Sequence, residues 1–269
     1  MYKGYKVKAL VFAGRRDTMS ILFPRIKSDV LDEVLIGVNT RNKDDIAFID
    51  SYLEKDHKFK KLIIPNNYIQ TAEAYYYMFS LLTDEDTIYI KLDDDLIWFS
   101  DNFFEELVNF RIEHPEYYTI YPFVLNNPLC NYLGKFFDEK KFKNKNDYMR
   151  KTWENPVYSG LLLKSFGEKQ LKFPNIENYE FDKSDTFSNP YICPSINCIC
   201  FFGKDCKNMN WSAEMRRYGG DEGFITVGIF NRFGNIRKNI VYTGCKCIHY
   251  AFYTQREFLN KLNILDLYK

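Results

Sequence analysis

Between Lys6 and Val124 the apolar residues fall in short unbroken runs separated by longer amphipathic stretches. The runs Lys6–Ala13, Glu33–Thr40, Lys61–Pro65, Ile88–Leu92 and Tyr118–Val124 are largely apolar at successive positions, the pattern of strands covered on both faces. The stretches between them, Asp17–Ser28, Asp44–Lys55, Gln70–Leu82 and Asp101–His114, suit helices. Strand and helix alternating in this way predict an α/β fold with a Rossmann-like, mainly parallel sheet flanked by helices. Such sheets hold ligands at the carboxyl ends of their strands.

The predicted strand ends are polar: Gly14-Arg15, Asn39-Thr40, Asn66-Asn67 and the triplet Asp93-Asp94-Asp95, after which the chain turns apolar again at Leu96-Ile97-Trp98. Three adjacent carboxylates between apolar segments repel one another and lose hydration, a cost that a cation or hydrogen-bond donors must offset. In an extended backbone Asp93 and Asp95 share one face and Asp94 takes the other, so two carboxylates can share a metal or divide between metal and ligand. A calcium loop of the EF-hand kind needs spaced acids and a central glycine, and neither is present here. Hard oxygen ligands favour Mg²⁺ or Mn²⁺ bridging phosphates.

Beyond Val124 the character changes. Asn126–Trp153 intersperses seven basic residues with acids and aromatics, which suits an inserted acceptor-side region or a solvated helical insertion. Asn175–Asn189 is polar and turn-rich, and Ser195–Phe202 reads as a strand. In Tyr218-Gly219-Gly220-Asp221-Glu222 two glycines free the backbone just before a pair of acids. Asp221 is expected to cap a helix there, and a carboxylate so held, near a metal, suits a general base. Cys245, Cys247 and His249 alternate along a strand; their spacing is a weak zinc pattern, and buried thiols are the better reading.

Composition narrows the class. Hydrophobic residues make up 46% and aromatics 18%, which excludes a disordered chain. Lys plus Arg total 37 against 36 for Asp plus Glu, so no basic excess exists to neutralise a nucleic-acid backbone. Seven cysteines, an odd number in apolar context, fit buried thiols in a reducing compartment. With no apolar run near the ~20 residues of a membrane span and no secretory signal at the start, a cytoplasmic location is expected, with peripheral membrane contact left open.

Taken in this order, the three constellations resemble the glycosyltransferases of the GT-A fold. The resemblance runs from Val7 to about Gln255 and rests on an Asp-x-Asp motif after a strand (Asp93-Asp94-Asp95), an acidic pair at a helix start (Asp221-Glu222) and a late histidine (His249). It implies one domain over 1–269, with a nucleotide-sugar-binding half at 1–125 and an acceptor-binding half at 126–269. It also implies Mn²⁺ or Mg²⁺ held by Asp95, Asp93 and His249, and a donor, UDP- or GDP-linked, contacted by Gly14, Arg15, Asn39, Thr40, Asp93 and Asp94. Asp221 or Glu222 would be the base of an inverting transfer to a glycan or other hydroxyl acceptor. Trp98, Trp153, Tyr158 and Trp211 are candidate sugar-stacking rings. Two rivals remain: a sugar nucleotidyltransferase, whose glycine-rich, lysine-containing phosphate loop is missing near the first strand, and a non-catalytic glycan-binding domain.

Overall fold

The computed structural model describes residues 1–181, 195–207, 209–229, 231 and 237–269. Residues 182–189 of the turn-rich segment and Cys193 lie outside that set. Nine strands are found among the described residues: β1 (Lys6–Ala13), β2 (Glu33–Val38), β3 (Phe59–Leu62), β4 (Thr87–Asp93), β5 (Leu96–Phe99), β6 (Ile120–Leu125), β7 (Tyr179–Glu180), β8 (Cys198–Phe202) and β9 (Ile240–His249). They form one sheet in the order β3-β2-β1-β4-β8-β6-β9-β5, with β7 alongside β9. The strands β1 to β4 pair in parallel, β8 enters antiparallel between β4 and β6, β6 and β9 run parallel, and β5 and β7 run against β9. Most strands therefore point the same way, as the alternation predicts, and the sheet is flanked by helices.

The connection from β4 to β5 fixes the shape of the sheet. Only Asp94 and Asp95 separate these strands in sequence, yet β8, β6 and β9 lie between them in the sheet. Three peptide steps reach at most about 11 Å. Four strand spacings in a flat sheet cover about 19 Å. The sheet must curl, and the curl carries the end of β9 back over the end of β4.

Burial explains why these segments are strands: Ala9, Leu10, Val11 and Ala13 of β1 and Ile88, Ile90 and Leu92 of β4 are wholly buried. The helices are α1 (Arg16–Leu22), α2 (Lys43–Lys55), α3 (Ala72–Ser80), α4 (Phe103–Glu113), α5 (Pro128–Leu133), α6 (Lys145–Glu154), α7 (Pro156–Gly167), α8 (Trp211–Arg217) and a C-terminal helix, Arg256–Lys261. Two expected elements are shorter or shifted. The helix expected over 17–28 ends at Leu22 in a tighter turn containing Pro24, which lacks the N–H that would continue it. The third strand lies at Phe59–Leu62 rather than 61–65, because Phe59 is the residue that packs inward, against Phe23 and Tyr52. Lys60 and Lys61 are left on the exposed edge, where lysines discourage pairing with another chain.

The expected insertion after Asn126 is helical, built from α5 and α6. With α7 and the C-terminal helix, the outer side of β5 and the end of β9 close a second, smaller hydrophobic cluster. The six described cysteines are free and buried. No helix among the described residues is long and apolar enough to cross a membrane.

Candidate functional site

The curl gathers the chemistry at the end of β4. Leu96 of β5 lies opposite His249 of β9, and the Tyr250 N–H donates to the Asp95 carbonyl at 2.8 Å. His249 Nε2 consequently stands 3.2 Å from Asp95 Oδ1, with both side chains almost fully buried. Asp95 Oδ2 accepts from Arg256 at 2.7 Å and lies 3.2 Å from Arg15. Asp94 has its own partners: Gly14 N–H at 2.8 Å and Arg15 Nε at 2.9 Å hold its two oxygens. Asp93 is clasped by Lys91 at Oδ1 and by Asn197 Nδ2 at 3.1 Å on Oδ2.

One ligand atom from each of Asp93, Asp95 and His249 lies within 4.8 Å of the others. Asp95 Oδ1 is buried and lacks a hydrogen-bond partner despite its closeness to His249 Nε2. Neighbouring ligands of an octahedral cation with bonds of about 2.1 Å are about 3 Å apart, so the 3.2 Å gap fits two groups sharing one ion. The cleft also brings together more carboxylates, Asp93, Asp94, Asp95, Asp221 and Glu222, than basic side chains, Arg15, Lys91 and Arg256, an arrangement that favours a cation.

Proton affinities reflect the burial of these acids first and their charged neighbours second. Burial pushes the Glu222 carboxyl up to about 8, against the hydrogen bond from Ser195 and with added repulsion from Asp221. Asp221 is raised as well, again by burial first, with Lys91 opposing it. Asp95 goes the other way: burial would raise it, but His249, Arg15 and Arg256 beside it together hold it well below the usual carboxylate range. For Asp94 burial outweighs the pull of Arg15, and the group is raised.

Two adjoining cavities meet at these residues. The larger, about 550 Å³, is bounded by Phe12, Gly14, Arg15, Asn39, Gln70, Tyr75 and Tyr76 and closed by Asp94 and Gly219–Asp221. The smaller, about 270 Å³, holds Lys91, Asp93, Asp95, Asp221, Glu222 and His249, with Ser195, Phe252 and Tyr253 at its wall. Arg15, Tyr75 and Asp221 line both. The acids arrive on a sharp bend: Gly219 and Gly220 have φ of 78° and 133°, values that side chains disfavour. Gly220, not Asp221, holds the N-cap position of the turn Asp221–Gly223, so the expectation of an Asp221 cap is corrected by one residue.

Of the residues expected at the nucleotide, Gly14, Arg15, Asn39 and Asp94 line the larger cavity and Asp93 the smaller. Thr40 lines neither; it is buried, its hydroxyl bonding Asp45 and the Asn42 N–H at the start of α2. Asn66-Asn67 also fall outside both cavities, their place taken by Gln70, Thr71 and α3, because the strand before them ends earlier than expected. Among the candidate rings, Trp211 is buried and stacked on Phe79, Trp98 on Phe173, and Tyr158 packs on Phe137. Trp153 approaches the smaller cavity through Phe252, 6.0 Å between ring centres. Cys245 and Cys247 are buried thiols outside any cluster of three metal-ligating groups among the described residues. Sequence reasoning did not single out Lys91, Asn197, Arg256 or Tyr75. A lysine inside an unbroken apolar strand was the one available signal.

No protein-family model matches the chain, and no curated protein matches it in sequence. Solved structures do match in shape. A CMP:2-keto-3-deoxy-manno-octonic acid synthetase complexed with CTP is 9% identical, with 97% of this chain and 98% of that one covered and a TM-score of 0.52. A 4-diphosphocytidyl-2C-methyl-D-erythritol synthase from Anaerococcus prevotii is 13% identical, with 98% and 95% covered and a TM-score of 0.47. Glucosyl-3-phosphoglycerate synthase from Mycobacterium tuberculosis, in complex with Mn²⁺, UDP and glucosyl-3-phosphoglycerate, is 13% identical, with 65% and 74% covered and a TM-score of 0.33. At 9% identity the first speaks for the fold, a mixed α/β sheet flanked by helices, and the other two superpose too loosely to carry an argument.

Proposed function

We propose that the chain is a divalent-metal-dependent glycosyltransferase that moves a sugar from a UDP- or GDP-linked donor to a hydroxyl acceptor with inversion. The observation that carries this reading is the shared cavity in which Asp221 and Glu222 stand with Asp93, Asp95 and His249. The larger cavity, at about 550 Å³, is of the size of small-molecule sites, and Tyr75, Tyr76 and Phe12 provide ring faces for a base. Arg15 lines both cavities, and its guanidinium suits a diphosphate crossing between them. A divalent cation held by Asp93, Asp95 and His249 would offset the charge that develops on the leaving diphosphate. Glu222, with its raised proton affinity, or Asp221 would take the proton of the acceptor hydroxyl as its oxygen bonds the anomeric carbon and the bond to diphosphate breaks. The region after Asn126, with Phe252 and Tyr253, would form the acceptor side.

A second reading, a sugar nucleotidyltransferase, is favoured by the fold match with a CTP-bound synthetase over nearly the full chain. Against it, the turn after β1 is short and its Gly14 N–H is spent on Asp94, so it is not free for a triphosphate. The two readings differ in products. Incubation with a panel of nucleotide-sugars and Mn²⁺ should release nucleoside diphosphate, in an acceptor-dependent way and not in chelator. Pyrophosphate release from a nucleoside triphosphate plus a sugar phosphate would replace the leading reading with the second. Calorimetry that finds no nucleotide bound with or without Mn²⁺ would remove both.

A further inference from the structure

Lys91 sits in the middle of β4 between two wholly buried residues, with its side chain 3% exposed. Taking an ammonium out of water costs several kcal/mol, and such a charge persists where partners compensate it. Two partners are in contact: the carbonyl oxygen of Ile196 at 2.7 Å and Asp93 Oδ1. The ring of Phe12, 5.3 Å from centre to ammonium, adds a third favourable neighbour. Alternation along the strand puts Lys91 and Asp93 on the same face. That face borders the smaller cavity, where Asp221 and Glu222 are the other acids outside the triplet and where the charge of Lys91 acts on both. Together with Asn197 on Oδ2, Lys91 fixes the plane of the Asp93 carboxylate and leaves each oxygen a further lone pair.

We propose that Lys91 is a positioning residue of the transfer site, a built-in cation that locks Asp93 and stands with the acidic pair Asp221-Glu222 in one cavity. This rests on the transfer reading above. Its charge opposes an incoming metal ion while it orders the groups that act on the substrate, so its loss should separate metal affinity from turnover. A group that merely filled space would not produce that separation.

The test compares wild type with Lys91→Met, which keeps the aliphatic length, and Lys91→Arg, which keeps the charge. Mn²⁺ affinity is measured by calorimetry, the thermal midpoint by melting, and kcat and KM with the donor and acceptor that the wild type turns over. Lys91→Met should lower kcat by about 10- to 100-fold, as loss of a group that orients a ligand typically does. Its donor KM should stay within about threefold, its Mn²⁺ affinity should hold or rise as a repelling charge is removed, and Lys91→Arg should recover part of the loss. A raised KM at unchanged kcat overturns the proposal in favour of a direct substrate contact. Weaker Mn²⁺ binding or loss of cooperative melting in Lys91→Met overturns it in favour of a purely structural role, and unchanged kinetics overturn it outright. If the wild type transfers no sugar, the transfer reading falls and this proposal with it. A wild type that is active beside a fully active Lys91→Met sinks this proposal alone.

Discussion

Glu222 and Asp95 are carboxylates in the same cavity whose surroundings push their proton affinities in opposite directions. Such divergence separates an acid–base group from a group that stays ionised to bind a cation. Glu222 keeps its proton up to about 8 in the folded chain, against 4.5 for the free side chain. Between those values the folded state binds a proton that the unfolded state has lost, so stability should fall as the pH rises through the window. In chelator, Glu222→Gln should therefore flatten the decline in melting temperature between about pH 5 and 8, and melt above wild type at the upper end. A remnant slope is expected from Asp221, which is raised too. Identical profiles for the two proteins would refute the raised affinity. At Asp95 the expectation is different. Asp95→Asn removes the carboxylate that Arg256 and Arg15 share, costs about 1–3 kcal/mol in denaturant unfolding, and weakens Mn²⁺-dependent nucleotide binding by at least about 10-fold. Glu222→Gln should keep that binding and lose turnover. These acids and His249 were legible in the sequence because each stands at the end of an apolar run or after a glycine pair. Their basic partners were not: Arg256 reaches Asp95 across 161 positions, and nothing local marks it.

At the scale of elements, the bend Gly219–Gly223 decides where the acidic pair stands. Gly223 is pressed against the preceding chain: a Cβ there would lie 2.0 Å from the Tyr218 carbonyl oxygen. Backbone oxygen cannot rotate away as a side chain can, so Gly223→Ala must displace the turn that carries Asp221 and Glu222. The expected outcome is a loss of roughly 1–3 kcal/mol in denaturant unfolding and a larger fall in kcat than in donor affinity. Full activity in this variant would mean that the position of the turn does not matter to transfer. The strands themselves were readable, because β1, β2, β4 and β6 are runs covered on both faces and such runs have few alternatives. The helix α1 was over-extended in that reading, since periodicity continued past Pro24 while the missing donor did not allow the helix to. The entry of β8 between β4 and β6 was not readable at all. Pairing across a hundred residues depends on which buried faces meet, and Cys198–Phe202 looks the same wherever it is placed.

For the whole molecule, the consequence is that the proposed metal group is assembled from parts of the chain that meet only when the sheet is complete. Asp93 and Asp95 bracket the turn from β4 to β5, and His249 ends β9, which reaches them through its pairing with β5 on a curled sheet. An ion bound there would tie the edge of the sheet to its centre and would be released when either unfolds. Ligands that bind the folded state alone stabilise it by mass action, by about 2.7 kcal/mol at a concentration 100 times the dissociation constant. In a chain of this size that corresponds to a rise in melting temperature of roughly 5–10 °C. Wild type should show such a rise with Mn²⁺ and a nucleoside diphosphate, and lose it on addition of chelator. His249→Ala should melt cooperatively without the ions and show little of the rise, because two carboxylates on one short turn no longer have the third ligand that spans the sheet. An equal rise in His249→Ala would place the ion elsewhere and dissolve the link between the sheet's curl and the site.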